Sequence, residues 1–203
     1  PKGCIITRNH WREDVAKPES IRTMALCSWM PSALGADHMI VWQGLYNGAQ
    51  IGFGRAPPHL FDDIRAVRPT ILLAPPTVWN AVYTQFFVEL KEALKKAAFQ
   101  SQDTLTEEEK EEIKADLMLK YKDFLGDRIN CVASGGAAIN SSVLDFLGKC
   151  FDCQVAEGYG ATECGGISSN GALGPNVRIR LDDVPEMGYL STDKPFPRGE
   201  VLV

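Results

Sequence analysis

Between Ile129 and Gly160 the chain runs through an apolar stretch, a small-residue loop, a capped helix, a second apolar stretch and a glycine-bracketed aromatic. That order leaves few folds open. Ile129-Asn130-Cys131-Val132-Ala133 reads as a strand, and Ser134-Gly135-Gly136-Ala137-Ala138 as a loop almost without side chains. Asn140 is a natural N-cap for a helix over Ser141 to Lys149, with Val143, Leu144 and Leu147 on one side. Cys153 to Ala156 is then a second strand, leading into Gly158-Tyr159-Gly160. Strand, helix and strand in succession form a right-handed crossover with parallel strands. Both loops then lie at one carboxyl edge of the sheet, where α/β folds bind ligands.

The second loop is dense in contact chemistry. Gly158 and Gly160 permit positive φ and close approach of another molecule to the backbone. Tyr159 offers a flat ring to a purine while its hydroxyl reaches a polar partner. Thr162 can donate to a phosphate oxygen, and Glu163 supplies a hard oxygen ligand for Mg²⁺ shared with substrate phosphates. A tight turn holding a half-buried tyrosine accounts equally for an isolated Gly-Tyr-Gly. A dinucleotide fingerprint fits less well, since it needs a third glycine and an immediate helix, and Cys164-Gly165-Gly166 would break one.

The rest of the chain alternates in the same way. Met24 to Trp29 is expected as a strand, His38 to Tyr46 as an amphipathic helix stopping at Asn47-Gly48, and Ala49 to Phe53 as the next strand. Leu60 to Val67 is a short helix stopped by Pro69, and Thr70 to Ala74 a strand apolar on both faces. From Trp79 to Leu125 the composition turns helical and charged. Thr104 with Glu107 is expected to form a capping box, and Ile113, Leu117, Tyr121 and Phe124 recur at helical spacing. The acidic run Glu107 to Glu112 is either a docking surface or the solvated face of this helical excursion. After Gly166 the chain is expected to be irregular, with an alternating strand at Val177 to Leu181 and another β segment opening at Arg198-Gly199-Glu200. The fold class is α/β: a mostly parallel sheet flanked by helices, with a helical excursion over 79–125.

With 203 residues and 45% hydrophobic content the chain can bury a substantial core. A net charge of −5 with no basic cluster argues against a nucleic-acid surface, and no apolar run approaches the roughly 20 residues needed to span a bilayer. Six cysteines do not make a disulfide scaffold here, and Cys150-x-x-Cys153 lacks the second pair a zinc site requires. Those two are either a redox pair or reduced thiols at a helix–strand junction.

SGGAAI (Ser134 to Ile139) with EGYGATE (Glu157 to Glu163) resembles the adenylate-forming, AMP-binding superfamily. Three further segments agree. Pro1-Lys2-Gly3 with Thr7-Arg8-Asn9-His10 is similar to the end of that family's phosphate loop. Arg68-Pro69-Thr70 through Trp79 is similar to its strand and turn. Asp183-Val184-Pro185-Glu186-Met187-Gly188-Tyr189 with Thr192-Asp193-Lys194-Pro195 and Pro197-Arg198-Gly199-Glu200 resembles the long-chain acyl-CoA synthetase and carboxylic acid reductase branch.

The resemblance implies part of the large N-terminal domain of an acyl-adenylating enzyme: residues 1–203 as a partial adenylation domain truncated at both ends and inactive in isolation. Its reaction would join a carboxylic acid, a fatty acid first among candidates, to AMP from ATP. A thiol of coenzyme A, or of a carrier's phosphopantetheine, would then take the acyl group. It assigns Gly135, Gly136 and Ala137 to the adenine-packing loop, Gly158, Tyr159 and Gly160 to the adenine-stacking segment, Thr162 to phosphate, Glu163 to Mg²⁺ and Lys2 to the triphosphate. A small-molecule carboxylate, ATP and a thiol acceptor are the expected partners, without nucleic acid or a membrane span. A cytoplasmic location is expected, any membrane association being carried outside this stretch.

One departure stands out: Leu34 occupies the position where relatives place a histidine after Met30-Pro31, with His38 one helical turn on. A non-catalytic scaffold that keeps the fold is the rival reading this motivates.

Overall fold

The computed structural model describes residues 24–31, 34–55, 57–101 and 104–203. Lys2 and the Pro1–His10 segment therefore lie outside the described residues. In chain order the main sheet comprises β1 (Ala25–Ser28), β2 (Gln50–Phe53), β3 (Ile71–Ala74), β4 (Cys131–Gly135), β5 (Gln154–Ala161), β6 (Gly165–Ser169) and β7 (Ala172–Leu173). Their spatial order is β2-β1-β3-β4-β5-β6-β7. β2, β1, β3, β4 and β5 run parallel, and β6 and β7 are added antiparallel at the β5 edge. β8 (Arg180–Asp182) and β9 (Glu200–Leu202) form a separate antiparallel pair.

The helices are α1 (Gly35–Asn47), α2 (Leu60–Val67), α3 (Pro76–Ser101), α4 (Glu107–Phe124) and α5 (Ser141–Phe151). α3 presents Trp79, Val82, Phe86 and Leu90 at three- and four-residue spacing, all buried. Phe86, fully enclosed, meets Phe146 of α5 and Tyr121 of α4 at ring-centroid distances of 4.8 and 5.3 Å. Trp79 Nε1–H donates to the Ala133 carbonyl at 3.0 Å, fastening the excursion's first helix to β4. The helical excursion is thus a hairpin of α3 and α4 laid against the sheet that carries the two loops.

Local signals explain most boundaries. Asn140 caps α5, its Oδ1 accepting from the Ser142 N–H at 2.9 Å. α1 stops at Gly48 (φ 65) and α2 at Arg68 (φ 49), just before Pro69. The capping box of α4, however, belongs to Thr106 and Glu109 rather than Thr104 and Glu107. α1 begins at Gly35 instead of His38, and it is not amphipathic in the expected sense. It buries Asp37, Ile40 and Gly44 and exposes Trp42, Leu45 and Tyr46. Gly44 sets that orientation: a Cβ there would meet the Ile51 side chain at 2.7 Å, so the bare backbone lies on β2.

Three further expectations change. Gly158-Tyr159-Gly160 is strand, since β5 continues to Ala161 with a bulge between Tyr159 and Gly160. The segment after Gly166 is regular through Ser169 because it pairs back onto β5, and Asn170-Gly171 (φ 48 and 78) turns the chain into β7. The strand expected at Val177 to Leu181 starts only at Arg180.

Candidate functional site

Parallel pairing places Gly135 beside Gly158, so the small-residue loop after β4 and the glycine-tyrosine segment of β5 are lateral neighbours at one sheet edge. Each glycine has its own reason. A Cβ on Gly135 would sit 3.0 Å from the Gly158 carbonyl oxygen, whereas Gly136 has a left-handed backbone (φ 83) and open space around it. Gly136, Ala137 and Ala138 are exposed, which leaves a surface without side-chain bulk.

Along β5 the side chains alternate, so Glu157 and Tyr159 share a face. Glu157 Oε1 accepts the Ile139 N–H at 3.5 Å, which puts the loop between β4 and α5 on that same face. The half-exposed Tyr159 ring and the Gly136–Ala138 backbone thereby flank one space. Asn170 steadies this stretch. Its Oδ1 accepts from Glu157 N–H at 2.7 Å, and its Nδ2 donates to the Val155 carbonyl at 3.4 Å. Sequence reasoning missed Asn170, although Asn-Gly between two strands is a strong hairpin signal.

Past Ala161 the chain turns through Thr162-Glu163-Cys164, closed by Cys164 N–H to the Ala161 carbonyl at 3.3 Å and released into β6 by Gly165 (φ 80). Thr162 and Glu163 are exposed at this tip. The tip meets the start of α1, where Gly35 N–H donates to Thr162 Oγ1 at 3.4 Å. The start of α1, which follows β1, is thus joined to the turn after β5 by a contact across 127 positions.

Asp37, in the first turn of α1, is almost fully buried; its Oδ2 accepts from Ser28 Oγ–H at 2.8 Å and its Oδ1 has no partner. Ser134 Oγ, under the small-residue loop, is also buried and unpaired. An unsatisfied buried polar group costs on the order of 1–3 kcal/mol. Sequence gave no sign of either orphan. Leu34 is the uncapped N-cap of α1. His38 lines an open cleft with Ser28, Trp29, Asp37, Trp42 and Phe53, and has no hydrogen bond to the Thr162–Glu163 turn.

Burial of Cys150 and partial burial of Cys153 favour the reduced-thiol reading, pushing the Cys150 thiol up to about 12 and the Cys153 thiol up to about 11. Thiols held protonated in this way are poor nucleophiles, the reverse of a redox pair. Among the described residues no group of three His, Cys, Asp or Glu could hold a metal by itself, and no helix is long and apolar enough to cross a membrane.

A mostly parallel sheet with one bare glycine loop, a glycine-bracketed tyrosine on the neighbouring strand and a hydroxyl–carboxylate turn at its carboxyl edge makes an α/β candidate site. The whole chain, residues 1–203, matches the AMP-binding enzyme family, and the chain belongs to it. It is 35% identical to fatty acyl-CoA synthetase A of Dictyostelium discoideum, over all of this chain and 34% of that protein. It is 31% identical to a carboxylic acid reductase of Mycobacterium marinum, over all of this chain and 17% of that protein. The fold superposes on the adenylation domain of a carboxylate reductase from Mycobacterium chelonae with a TM-score of 0.72 at 26% identity, covering 97% of this chain and 29% of that one. The corresponding domain from Segniliparus rugosus, in complex with AMP and a co-purified carboxylic acid, gives 0.70 at 27% identity, covering 97% and 30%. The chain therefore spans about a third of its acyl-CoA synthetase relative and under a fifth of the reductase.

Proposed function

We propose that the protein carrying this chain activates a carboxylic acid, a fatty acid first, with ATP, and that residues 1–203 form part of its adenylation domain. A carboxylate oxygen attacks the α-phosphorus, the bond to pyrophosphate breaks, and an acyl-adenylate forms. A thiol then attacks the acyl carbon, AMP leaves, and the thiol proton passes to solvent. The observation that carries this reading is the lateral register of Gly135 and Gly158, which sets the exposed Tyr159 ring and the bare Gly136–Ala138 backbone around one space.

In that space a purine stacks on Tyr159 and packs on Gly135, Gly136 and Ala137, while Gly158 and Gly160 keep the strand free of side chains. Thr162 donates its hydroxyl proton to a phosphate oxygen at the turn that follows. Glu163 is exposed and forms no ion pair among the described residues, which fits Mg²⁺, an ion held by one or two carboxylates together with substrate phosphates. Bound there, the ion would neutralise phosphate charge. Lys2 would serve the triphosphate. The work of the site is orientation and charge neutralisation rather than covalent chemistry.

The acceptor is proposed to be coenzyme A, as the name of the Dictyostelium relative suggests. The similarity to reductase adenylation domains supports a second reading, in which a carrier's phosphopantetheine takes the acyl group. Carboxylate-dependent pyrophosphate release by the full-length protein tests the shared first step, and acyl transfer to free coenzyme A separates the two acceptors. Glu163→Ala should lower Mg²⁺-dependent release at least about a hundredfold. No release with any of several acyl chain lengths would leave the scaffold reading standing.

A further inference from the structure

We propose that Gly35, at the first position of α1, is a positioning residue for Thr162. The inference rests on the adenylation reading, in which the Thr162 hydroxyl serves a phosphate. Gly35 N–H donates to Thr162 Oγ1 at 3.4 Å, which occupies an oxygen lone pair and leaves the hydroxyl hydrogen free to point elsewhere. A free threonine hydroxyl at an exposed turn would rotate among its rotamers and among acceptors. Held by an N–H, it is set as a donor toward the incoming phosphate.

The approach is tight enough to favour glycine. A Cβ at position 35 would lie 3.2 Å from Thr162 Cα and 3.3 Å from its Oγ1. The first of these is backbone and cannot rotate aside. The turn of α1 that makes the contact is itself anchored, because Asp37, two residues on and buried, takes the Ser28 Oγ–H at the end of β1. The anchor runs from β1 through Asp37 to Gly35 and on to Thr162. It ties the Thr162–Glu163 turn to a strand three places away in the sheet.

The backbone permits a test that removes the N–H and its contact with Thr162. Gly35 is the first residue of α1, where proline is tolerated, and Leu34 before it is extended (φ −78, ψ 127), the conformation a following proline requires. Gly35→Ala adds a Cβ and keeps the N–H. Gly35→Pro replaces the N–H with a ring Cδ that points at Thr162 Oγ1, so it deletes the bond and closes the space in which it formed. In the full-length protein, Gly35→Pro should lower kcat for carboxylate-dependent pyrophosphate release about tenfold further than Gly35→Ala, with KM for ATP changed far less. In a Thr162→Ala background the two position-35 variants should agree within about twofold, since the acceptor is gone.

Equal activities of the two variants in the wild-type background would overturn the proposal, as would the same tenfold gap persisting without the Thr162 hydroxyl. Thr162→Ala that loses no activity would instead remove Thr162 from the reaction and the premise with it. Helix content and thermal midpoint of each variant identify one that merely unfolds, and in that case the Gly35→Ala pair with and without Thr162 decides: additive losses overturn the proposal, coupled losses support it.

Discussion

Gly160→Ala is the substitution for which the structure makes the sharpest demand. A Cβ at this position would lie 2.4 Å from the Gly165 carbonyl oxygen and 3.1 Å from Gly166 Cα, both backbone atoms of the facing strand. Contacts below 3.0 Å do not occur for a real Cβ, so β5 and β6 must part by at least about 0.6 Å. The turn joining those strands carries Thr162 and Glu163, and it moves with them. A misplacement near 1 Å costs catalysis on the order of a hundredfold, so roughly 10- to 100-fold is expected here. The assay is carboxylate-dependent pyrophosphate release by the full-length protein, with circular dichroism to establish that the fold persists. Gly171→Ala is the matching control. It places a side chain on a left-handed backbone (φ 78) in open space, which costs about 1–2 kcal/mol of stability without displacing the turn. A Gly160→Ala protein within twofold of wild-type activity would refute the view that this hairpin's spacing sets the site.

Other consequences follow from the packing and the burial. Trp79→Phe removes the donor to the Ala133 carbonyl and should cost about 1–3 kcal/mol, read as a lowered midpoint in urea. Thr106→Ala removes the α4 cap and should cost about 1 kcal/mol in the same measurement. Cys150 and Cys153 should resist alkylation near neutral pH, and rapid loss of both thiols in the folded protein would contradict their raised pKa values. Because folding raises both thiols above their ordinary value of 9.0, the stability tied to their neutral forms is complete below about pH 9 and fades as pH rises toward 11–12. Unfolding midpoints that stay flat across that window would count against it.

What the sequence made legible, and what it hid, follows from the range of the interactions concerned. Asn140 could be read as a cap because its partner is Ser142, two residues away. The α4 cap was misplaced for an equally local reason: Thr104-Leu105-Thr106-Glu107-Glu108-Glu109 contains two overlapping Thr-x-x-Glu boxes, and pattern alone cannot choose between them. The glycines of β5 looked like a loop because glycine is a poor strand former. They are strand because β4 pairs with Gly158 on one side while β6 pairs with Gly158 and Gly160 on the other, and Gly160 must be bare for Gly165 to approach. Gly135, Gly136, Tyr159, Thr162 and Glu163 stand out as candidates from local chemistry and family likeness, and their assignment remains a proposal. Their supports do not stand out. Asn170 reaches back across a hairpin, Asp37 is buried with Ser28 as the donor to one of its oxygens, and Gly35 touches Thr162 from 127 positions away. A residue that does chemistry must carry a recognisable functional group. A residue that aims one needs only to be small, or to present a backbone N–H, at the right place. Gly35 therefore looks like any other glycine until the fold sets it against Thr162.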